Sequence, residues 1–194
     1  MGYALARFIF FIMGWKLAQF PPKDLRRSVM IASPHTSNWD LIMARSAFAL
    51  MGLPVKFTIK KEWFKFPFNL IMKPLGGIPI DRSPKTPGSG SERKSMVDAM
   101  AELFDQYEDL IVLVTPEGTR EKRSEWKTGF YYLAKKAQVP ISCGWLDYKK
   151  KHAGVGLILT PGDDMHADLK QIMHFYKDIA PKHPEKFSVD LRYV

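Results

Sequence analysis

The stretch SPHTSNWDL, residues 33–41, follows the apolar run VMIA and leads into the helix-like run LIMARSAFALM. The Thr-Ser-Asn in its middle consists of residue types that begin helices, so a helix is predicted to start at Ser37 or Asn38. Asp40 then falls in the first turn, where a carboxylate suits the helix dipole. His35 stays outside the helix, on the loop at the C-terminal end of a strand, where open α/β sheets place their sites.

Strand-like and helix-like runs alternate along most of the chain. Strands rich in Val, Ile and Leu are predicted at Val29–Ser33, Val55–Ile59, Gly77–Ile80, Leu110–Thr115, Ile141–Leu146, Val155–Thr160 and Phe187–Tyr193. Helices are predicted at Trp39–Met51, Trp63–Lys73, Glu92–Tyr107, Gly129–Gln138 and Ala167–Ile179. The run RSPKTPGSGSERKS is predicted to be a mobile loop that leads into a helix capped near Ser91 or Ser95. The alternation predicts an α/β fold with a mostly parallel, largely buried sheet flanked by helices.

His35 and Asp40 are five residues apart, but their separation spans the helix start, so the loop can fold the imidazole back over the carboxylate. A carboxylate bonded to one ring nitrogen fixes the tautomer and stabilises the imidazolium that forms when the other nitrogen takes a proton. The pair therefore predicts a general base. The alternative is a helix-capping Asp40 beside an unrelated loop histidine, and the motif alone leaves both interpretations open.

Nothing near this motif supplies a protein nucleophile, so an attacking hydroxyl is expected to belong to the substrate. Cys143, the one cysteine, lies in a strand-like run and is predicted to be a packed core residue rather than a reactive thiol. One cysteine excludes an internal disulfide and a cysteine zinc site. The other histidines are scattered, and no grouping has metal-ligand spacing, so neither a metal nor a cofactor is expected.

The formal net charge of +9 favours an acidic partner, which could be nucleic acid, an anionic membrane surface or a phosphorylated substrate. Nucleic acid is disfavoured because the basic residues are spread along the chain and no RNA- or DNA-binding motif is present. A non-catalytic module that binds anionic lipid is the alternative from outside the enzymes.

Residues 1–22 are predicted to form an apolar helix that ends at two consecutive prolines. Its longest apolar run, Phe8–Trp15, is well short of the roughly 20 residues that span a bilayer, and it lacks the features of a signal peptide. The helix either lies in a membrane interface, with Trp15 and Lys16 at headgroup level, or covers the core. Residues 23–194 are predicted to form a single α/β domain.

Further motifs stand downstream of the histidine motif. LGGIPIDRS at residues 75–83 contains Asp-Arg at residues 81–82, PEGTR occupies residues 116–120, Lys127 and Gly129 form Lys-x-Gly, and VPI begins a strand at residue 139. With HTSNWD, these resemble the glycerolipid acyltransferase family typified by 1-acyl-glycerol-3-phosphate acyltransferases. The resemblance covers residues 28–146, and the occurrence of these motifs in family order makes it specific.

The resemblance implies an O-acyltransferase in which His35 deprotonates an acceptor hydroxyl and Asp40 orients the imidazole. The hydroxyl attacks an acyl thioester carried by coenzyme A (acyl-CoA) or by acyl carrier protein. The implied acceptor-binding positions, where the arginines hold a phosphate, are Arg82, Glu117, Gly118, Thr119 and Arg120.

The expected function is acylation of a lysophospholipid such as 1-acyl-glycerol-3-phosphate by a protein bound peripherally at the cytoplasmic face of a membrane. The chain is short for the family, its N-terminal apolar segment is brief, and Pro34 stands where many members carry Asn. These departures leave open a lyso-aminolipid or another acceptor without phosphate. A thioester or phospholipid hydrolase, with water as the acceptor, is the alternative among enzymes.

Overall fold

The computed structural model of the chain describes residues 2–60, 64–66, 69–72, 76–80 and 95–194. Residues 82–94 of the predicted loop RSPKTPGSGSERKS, which include Arg82, and parts of the predicted helix Trp63–Lys73 lie outside the described residues. Ser95, which is one of the two predicted capping residues, caps the helix that follows the loop.

The described residues contain seven strands, and all of them belong to one sheet. They are β1 (Lys16–Gln19), β2 (Arg27–Ala32), β3 (Val55–Lys60), β4 (Gly77–Ile80), β5 (Leu110–Val114), β6 (Ile141–Asp147) and β7 (His152–Leu159). Their order across the sheet is β1-β7-β6-β2-β5-β3-β4. Strands β2 to β6 are mutually parallel, whereas β7 runs antiparallel to β6 and β1 runs parallel to β7. The predicted α/β fold with a mostly parallel sheet is confirmed.

Helices cover both faces of this sheet. They are α1 (Tyr3–Met13), α2 (Trp39–Met51), α3 (Asn69–Met72), α4 (Met96–Ala101), α5 (Leu103–Gln106), α6 (Gly129–Ala137) and α7 (Met165–Tyr176). On one face, Met30 of β2 and Ile111 of β5 belong to a core cluster with Phe48 of α2. On the other face, Val29 and Val112 pack in the large core cluster that α4 to α7 complete. The side chains of neighbouring residues in one strand are thus buried on opposite faces of the sheet, which explains why these strands are apolar throughout.

The N-terminal helix is shorter than the predicted one. It ends at Met13 because Gly14 takes a left-handed conformation with φ of 70°. Lys16–Gln19 then form β1, which pairs with β7. The prediction of a helix through residue 22 is therefore wrong in its extent, since edge pairing with a distant strand decides the conformation of this segment.

The two faces of α1 differ in their surroundings. Ala6 and Phe10, one turn apart, are buried, and Phe10 packs in a cluster with Met43 of α2. The other side, here named the exposed face of α1, carries Tyr3, Leu5, Phe8, Phe11 and Ile12. Within the described part of the chain, no helix is both long and apolar enough to cross a membrane.

The predicted C-terminal strand Phe187–Tyr193 is wrong. The short 3₁₀ helix Pro184–Lys186 ends just before this segment, and a second one, Leu191–Tyr193, lies within it. The buried carboxylate of Asp190 accepts the backbone N–H of Trp126 at 2.8 Å and also caps the second 3₁₀ helix. The β-favouring side chains of the segment are therefore used for packing against the domain instead of strand pairing, because tertiary contacts outweigh propensity.

Candidate active site

The loops that follow β2, β5 and β6 meet at one edge of the sheet. Strand β2 lies between β5 and β6 and is parallel to both, with Ala32 in register with Gly144 of β6. The carboxyl ends of the three strands therefore lie side by side, where an open α/β sheet forms its crevice. His35 follows β2, the PEGTR turn of residues 116–120 follows β5, and Tyr148 follows β6.

His35 and Asp40 form the pair that the sequence predicts. Nδ1 of His35 lies 3.1 Å from Oδ2 of Asp40. A carboxylate only accepts hydrogen bonds, so Nδ1–H is the donor and Nε2 is the nitrogen left free of Asp40. The same Oδ2 accepts the backbone N–H groups of Thr36 and Ser37 at 2.8 and 2.9 Å. Asp40 thus bonds both to the loop at the helix start and to the imidazole. An unrelated loop histidine is therefore the wrong interpretation, and the role of the pair as a general base stays a prediction.

A third side chain reaches Asp40 from a distant part of the chain. The hydroxyl of Tyr148 donates to Oδ1 of Asp40 at 2.7 Å, although 108 residues separate the two. Burial acts to raise the pKa of Asp40, but the hydrogen bonds from His35, Tyr148 and Ser37 outweigh it, and the pKa lies below its ordinary value. Burial, together with the bond to Asp40, raises the pKa of Tyr148 well above its ordinary value, so the hydroxyl keeps its proton.

A cavity of about 640 Å³ opens beside this pair, and both His35 and Asp40 line it. Part of its wall is apolar and includes Leu41, Ala44, Phe48, Phe57, Met100 and Leu113. Another part is basic and includes Arg120 and Lys127. A largely apolar cavity with a few convergent polar groups is typical of a site for an organic ligand.

The PEGTR turn brings the basic side chains to the cavity. Gly118 has φ of 67°, and its N–H donates to the carbonyl of Thr115 at 3.1 Å. A Cβ at Gly118 would lie only 2.9 Å from Nζ of Lys127, so glycine leaves this lysine room to cross the turn. The backbone N–H of Lys127 donates to the carbonyl of Pro116 at 2.9 Å, which ties the lysine to the turn.

Glu117 lies beneath the His35 loop. Its Oε1 accepts hydrogen bonds from Oγ of Ser33 at 2.6 Å and from the backbone N–H of His35 at 3.2 Å. Its Oε2 is buried without a partner among the described residues. Burial raises the pKa of Glu117 above its ordinary value. This carboxyl group therefore supports the loop, and it is absent from the described residues that line the cavity.

The remaining candidate residues from the sequence are not among the described residues that line the cavity. The hydroxyl of Thr119 accepts the backbone N–H of Glu121 at 3.3 Å, and Thr119 is absent from the described cavity wall. Arg82 lies outside the described residues. Cys143 is fully buried, and burial raises the pKa of its thiol to about 12, as expected for a packed core residue. The described residues contain no group of His, Cys, Asp and Glu that could hold a metal ion.

Three residues at this site are not predicted from the sequence: Ser33, Lys127 and Tyr148. A signal exists for each of them. Lys127 belongs to the matched Lys-x-Gly motif, although the motif gives it no role. Ser33 and Tyr148 each stand at or just after the end of a predicted strand, and parallel strands bring such positions to one edge.

Comparisons with known proteins identify the fold and the family of the chain. The crystal structure of the 1-acyl-sn-glycerophosphate (LPA) acyltransferase PlsC from Thermotoga maritima matches with a TM-score of 0.59 at 14% sequence identity, covering 90% of this chain and 75% of that one. At this identity the likeness shows the fold. A comparison with curated proteins finds no match. The family model described as Acyltransferase matches residues 18–145, more than half of the chain, and this range includes the His35–Asp40 pair and the PEGTR turn. The chain therefore belongs to the Acyltransferase family.

Proposed function

We propose that this acyltransferase moves a fatty acyl group from an acyl thioester, carried by coenzyme A or acyl carrier protein, to a hydroxyl group of a lysophospholipid such as 1-acyl-glycerol-3-phosphate. The observation that carries this proposal is the His35–Asp40 pair on the wall of a cavity with an apolar part and a basic part. The apolar part of the cavity suits the fatty acyl group, and the basic part suits the phosphate of the lysophospholipid. The activity of the structural relative, an LPA acyltransferase, supports the same substrate class.

The proposed reaction needs one base and no protein nucleophile. Nε2 of His35 takes the proton of the acceptor hydroxyl while the hydroxyl oxygen attacks the thioester carbonyl carbon. Asp40 stabilises the imidazolium that results, and the hydrogen bonds that lower its pKa keep it charged for this role. The tetrahedral intermediate then collapses with cleavage of the C–S bond, and the imidazolium returns the proton to the leaving thiolate. The products are an ester and a free thiol.

The basic part of the cavity suits the phosphate of the acceptor. Arg120 offers a planar fork that matches phosphate geometry, and Lys127 adds a point charge on the same wall. Arg82 is proposed to join them on the basis of the family motif. Gly118 contributes by letting Lys127 cross the turn, and Glu117 contributes by holding the His35 loop from beneath.

The apolar part of the cavity suits the acyl chain. Leu41 and Phe48 come from α2, and Met100 comes from α4. Each methylene group that leaves water contributes roughly 0.8 kcal/mol, so even a short acyl segment gains several kcal/mol on this wall. The cavity thus provides apolar side chains for the acyl chain and basic side chains for the phosphate of the proposed substrates.

The protein is proposed to act at a membrane surface, bound peripherally at the cytoplasmic face. On the exposed face of α1, Phe8 and Phe11 are 59% and 83% exposed. The lysine turn, residues 149–151, lies beside the end of this helix, since the N–H of Lys16 donates to the carbonyl of Lys151 at 3.0 Å. An apolar helix face with adjacent lysines suits the interface of an anionic bilayer.

Membrane binding can be tested with a double substitution on the exposed face of α1. Phe8→Ser with Phe11→Ser is expected to weaken binding to vesicles of phosphatidylglycerol and phosphatidylcholine at least about tenfold, because two aromatic side chains no longer leave water. Sedimentation with the vesicles measures the bound fraction. Leu191→Ser is the control, because Leu191 is 71% exposed in the C-terminal 3₁₀ helix, away from α1. Equal binding of the parent and the double variant would rule out α1 as the anchor.

The acceptor phosphate can be tested at Arg120. Arg120→Ala is expected to raise the KM for a phosphorylated acceptor roughly tenfold with little change in kcat, since an interaction made equally with substrate and transition state is lost. Arg120→Lys is expected to restore only part of the affinity, because a point charge cannot replace a bidentate fork. Arg123→Ala removes an exposed arginine of the same loop and serves as the control. If neither change at Arg120 alters the acceptor KM, this arginine does not contact the phosphate.

The proposed function itself is tested by identifying the products. The purified protein is incubated with a long-chain acyl-CoA and, in separate reactions, with 1-acyl-glycerol-3-phosphate, with a lyso-aminolipid that lacks phosphate, or without lipid. Mass spectrometry is expected to find 1-acyl-glycerol-3-phosphate converted to its diacyl form. A product only from the lyso-aminolipid would change the acceptor class, and free fatty acid alone in every reaction would make the protein a hydrolase.

A further inference from the structure

We propose that Tyr148 is a positioning residue for the His35–Asp40 pair and acts through Asp40. Its role in turnover rests on the proposed function of His35 as the general base. Tyr148 is not among the described residues that line the cavity, so the role proposed for it involves no contact with a substrate. Its hydroxyl instead donates to Oδ1 of Asp40 at 2.7 Å, on the carboxylate oxygen opposite to the one that faces His35.

The two oxygens of Asp40 have different partners, and this division fixes the plane of the carboxylate. Oδ2 accepts from Nδ1 of His35 and from the backbone N–H groups of Thr36 and Ser37. Tyr148 is the donor that the described residues provide to Oδ1. A hydroxyl donor at one oxygen and three donors at the other leave the carboxylate little freedom to turn. The direction in which Oδ2 meets His35 is therefore set partly by Tyr148.

The backbone of Tyr148 is held firmly enough for this task. Its N–H donates to the carbonyl of Ala180 at 2.8 Å. The preceding Asp147 is 2% exposed, pairs with His152 across the hairpin, and accepts the backbone N–H of Lys150 at 2.9 Å. The turn that carries Tyr148 is thus tied to the sheet and to the C-terminal segment.

The aromatic ring of Tyr148 is held in place by Trp15. Trp15 meets it edge to face, with ring centroids 5.0 Å apart. Trp15 is itself 6% exposed, and its backbone N–H donates to the carbonyl of Phe10 at the end of α1 at 2.8 Å. An aromatic contact of this kind restricts the ring as well as adding packing energy. The hydroxyl is therefore presented to Asp40 by a side chain fixed on both ring and backbone.

Tyr148→Phe tests the proposal because it removes the hydroxyl and keeps the ring. We expect kcat to fall roughly tenfold or more while the KM values for both substrates change less than about twofold, since the lost bond acts on the base rather than on substrate binding. Tyr131→Phe is the matched control. The hydroxyl of Tyr131 also donates to a buried carboxylate, Asp168, at 2.8 Å, but in the core between α6 and α7. This control is expected to retain the parental kcat, and an equal loss of kcat in both variants would overturn the proposal.

A second readout reports on His35 without any turnover. Proteins labelled with ¹⁵N-histidine are compared by NMR above neutral pH, and the His35 signal is assigned with the variant His35→Gln. The parent is expected to show a protonated Nδ1, and Tyr148→Phe is expected to move the signal towards the Nδ1–H and Nε2–H mixture of free histidine. An unchanged Nδ1–H signal in Tyr148→Phe overturns the positioning role. A parent protein that transfers no acyl group would instead contradict the proposed function, while the spectrum still decides whether Tyr148 orients the pair.

Discussion

Replacing His35 with alanine is expected to lower the kcat of acyl transfer by roughly 10²–10⁴-fold, the usual contribution of a positioned general base. The reason lies in the surroundings of the imidazole. His35 lines the cavity and Asp40 holds Nδ1, so Nε2 is the ring nitrogen that remains to take a proton. The nearby carboxyl group of Glu117 cannot replace the base, because it is buried beneath the loop and bonded to Ser33. The KM for the acceptor should change little, since the imidazole contributes mainly to the transition state.

The control for this substitution is His174→Ala. His174 is an exposed residue of α7, so its removal should leave both kcat and the melting temperature close to those of the parent. Initial rates of thiol release with a saturating acceptor give kcat for all three proteins. Near-parental turnover of His35→Ala on a substrate that the parent accepts would show that another group removes the proton.

Asp40→Asn is expected to lower kcat by roughly 10²-fold or more and to destabilise the fold only modestly. The amide oxygen can still accept the backbone N–H groups of Thr36 and Ser37, and the tyrosine hydroxyl can turn to accept from the amide nitrogen. The helix start therefore keeps its partners, at a cost of about 1–2 kcal/mol in the free energy of unfolding. The negative charge that stabilises the imidazolium is lost, and this loss falls on turnover.

A capping function without a catalytic one predicts a different result for Asp40→Asn. The control is Asp164→Asn, because Asp164 caps α7 by accepting the backbone N–H of Ala167 at 3.0 Å and is absent from the described cavity wall. If Asp40 were only a cap, both variants would lose a little stability and keep their turnover. The combined His35→Ala and Asp40→Asn variant should be no slower than about the His35→Ala variant, since the two residues act as one unit.

The part of the site that can be predicted from the sequence lies within short stretches of chain. The strand before His35, the helix Trp39–Met51 and the contact between His35 and Asp40 all follow from residues 29–51, because capping residues and an apolar run encode them locally. The mostly parallel sheet follows from the alternation of apolar runs.

The part that cannot be predicted depends on contacts between distant residues. Tyr148 stands in a turn of lysines that indicates an exposed tip, and only the pairing of β6 beside β2 brings it to Asp40. Lys16–Gln19 carry little strand signal, and their conformation depends on the edge that β7 offers. Lys127 reaches the cavity because Gly118 has no side chain in its way, which the sequence alone does not show.

The most direct test measures thiol release from a long-chain acyl-CoA by the parent protein and by His35→Ala, each with and without 1-acyl-glycerol-3-phosphate. If His35 activates a lipid hydroxyl, the parent should release thiol rapidly only when the lysophospholipid is present, and His35→Ala should lose at least about 10²-fold of that rate. Release by the parent that is equally fast without the lipid, or release by His35→Ala at the parental rate, would contradict acyl transfer with His35 as the base.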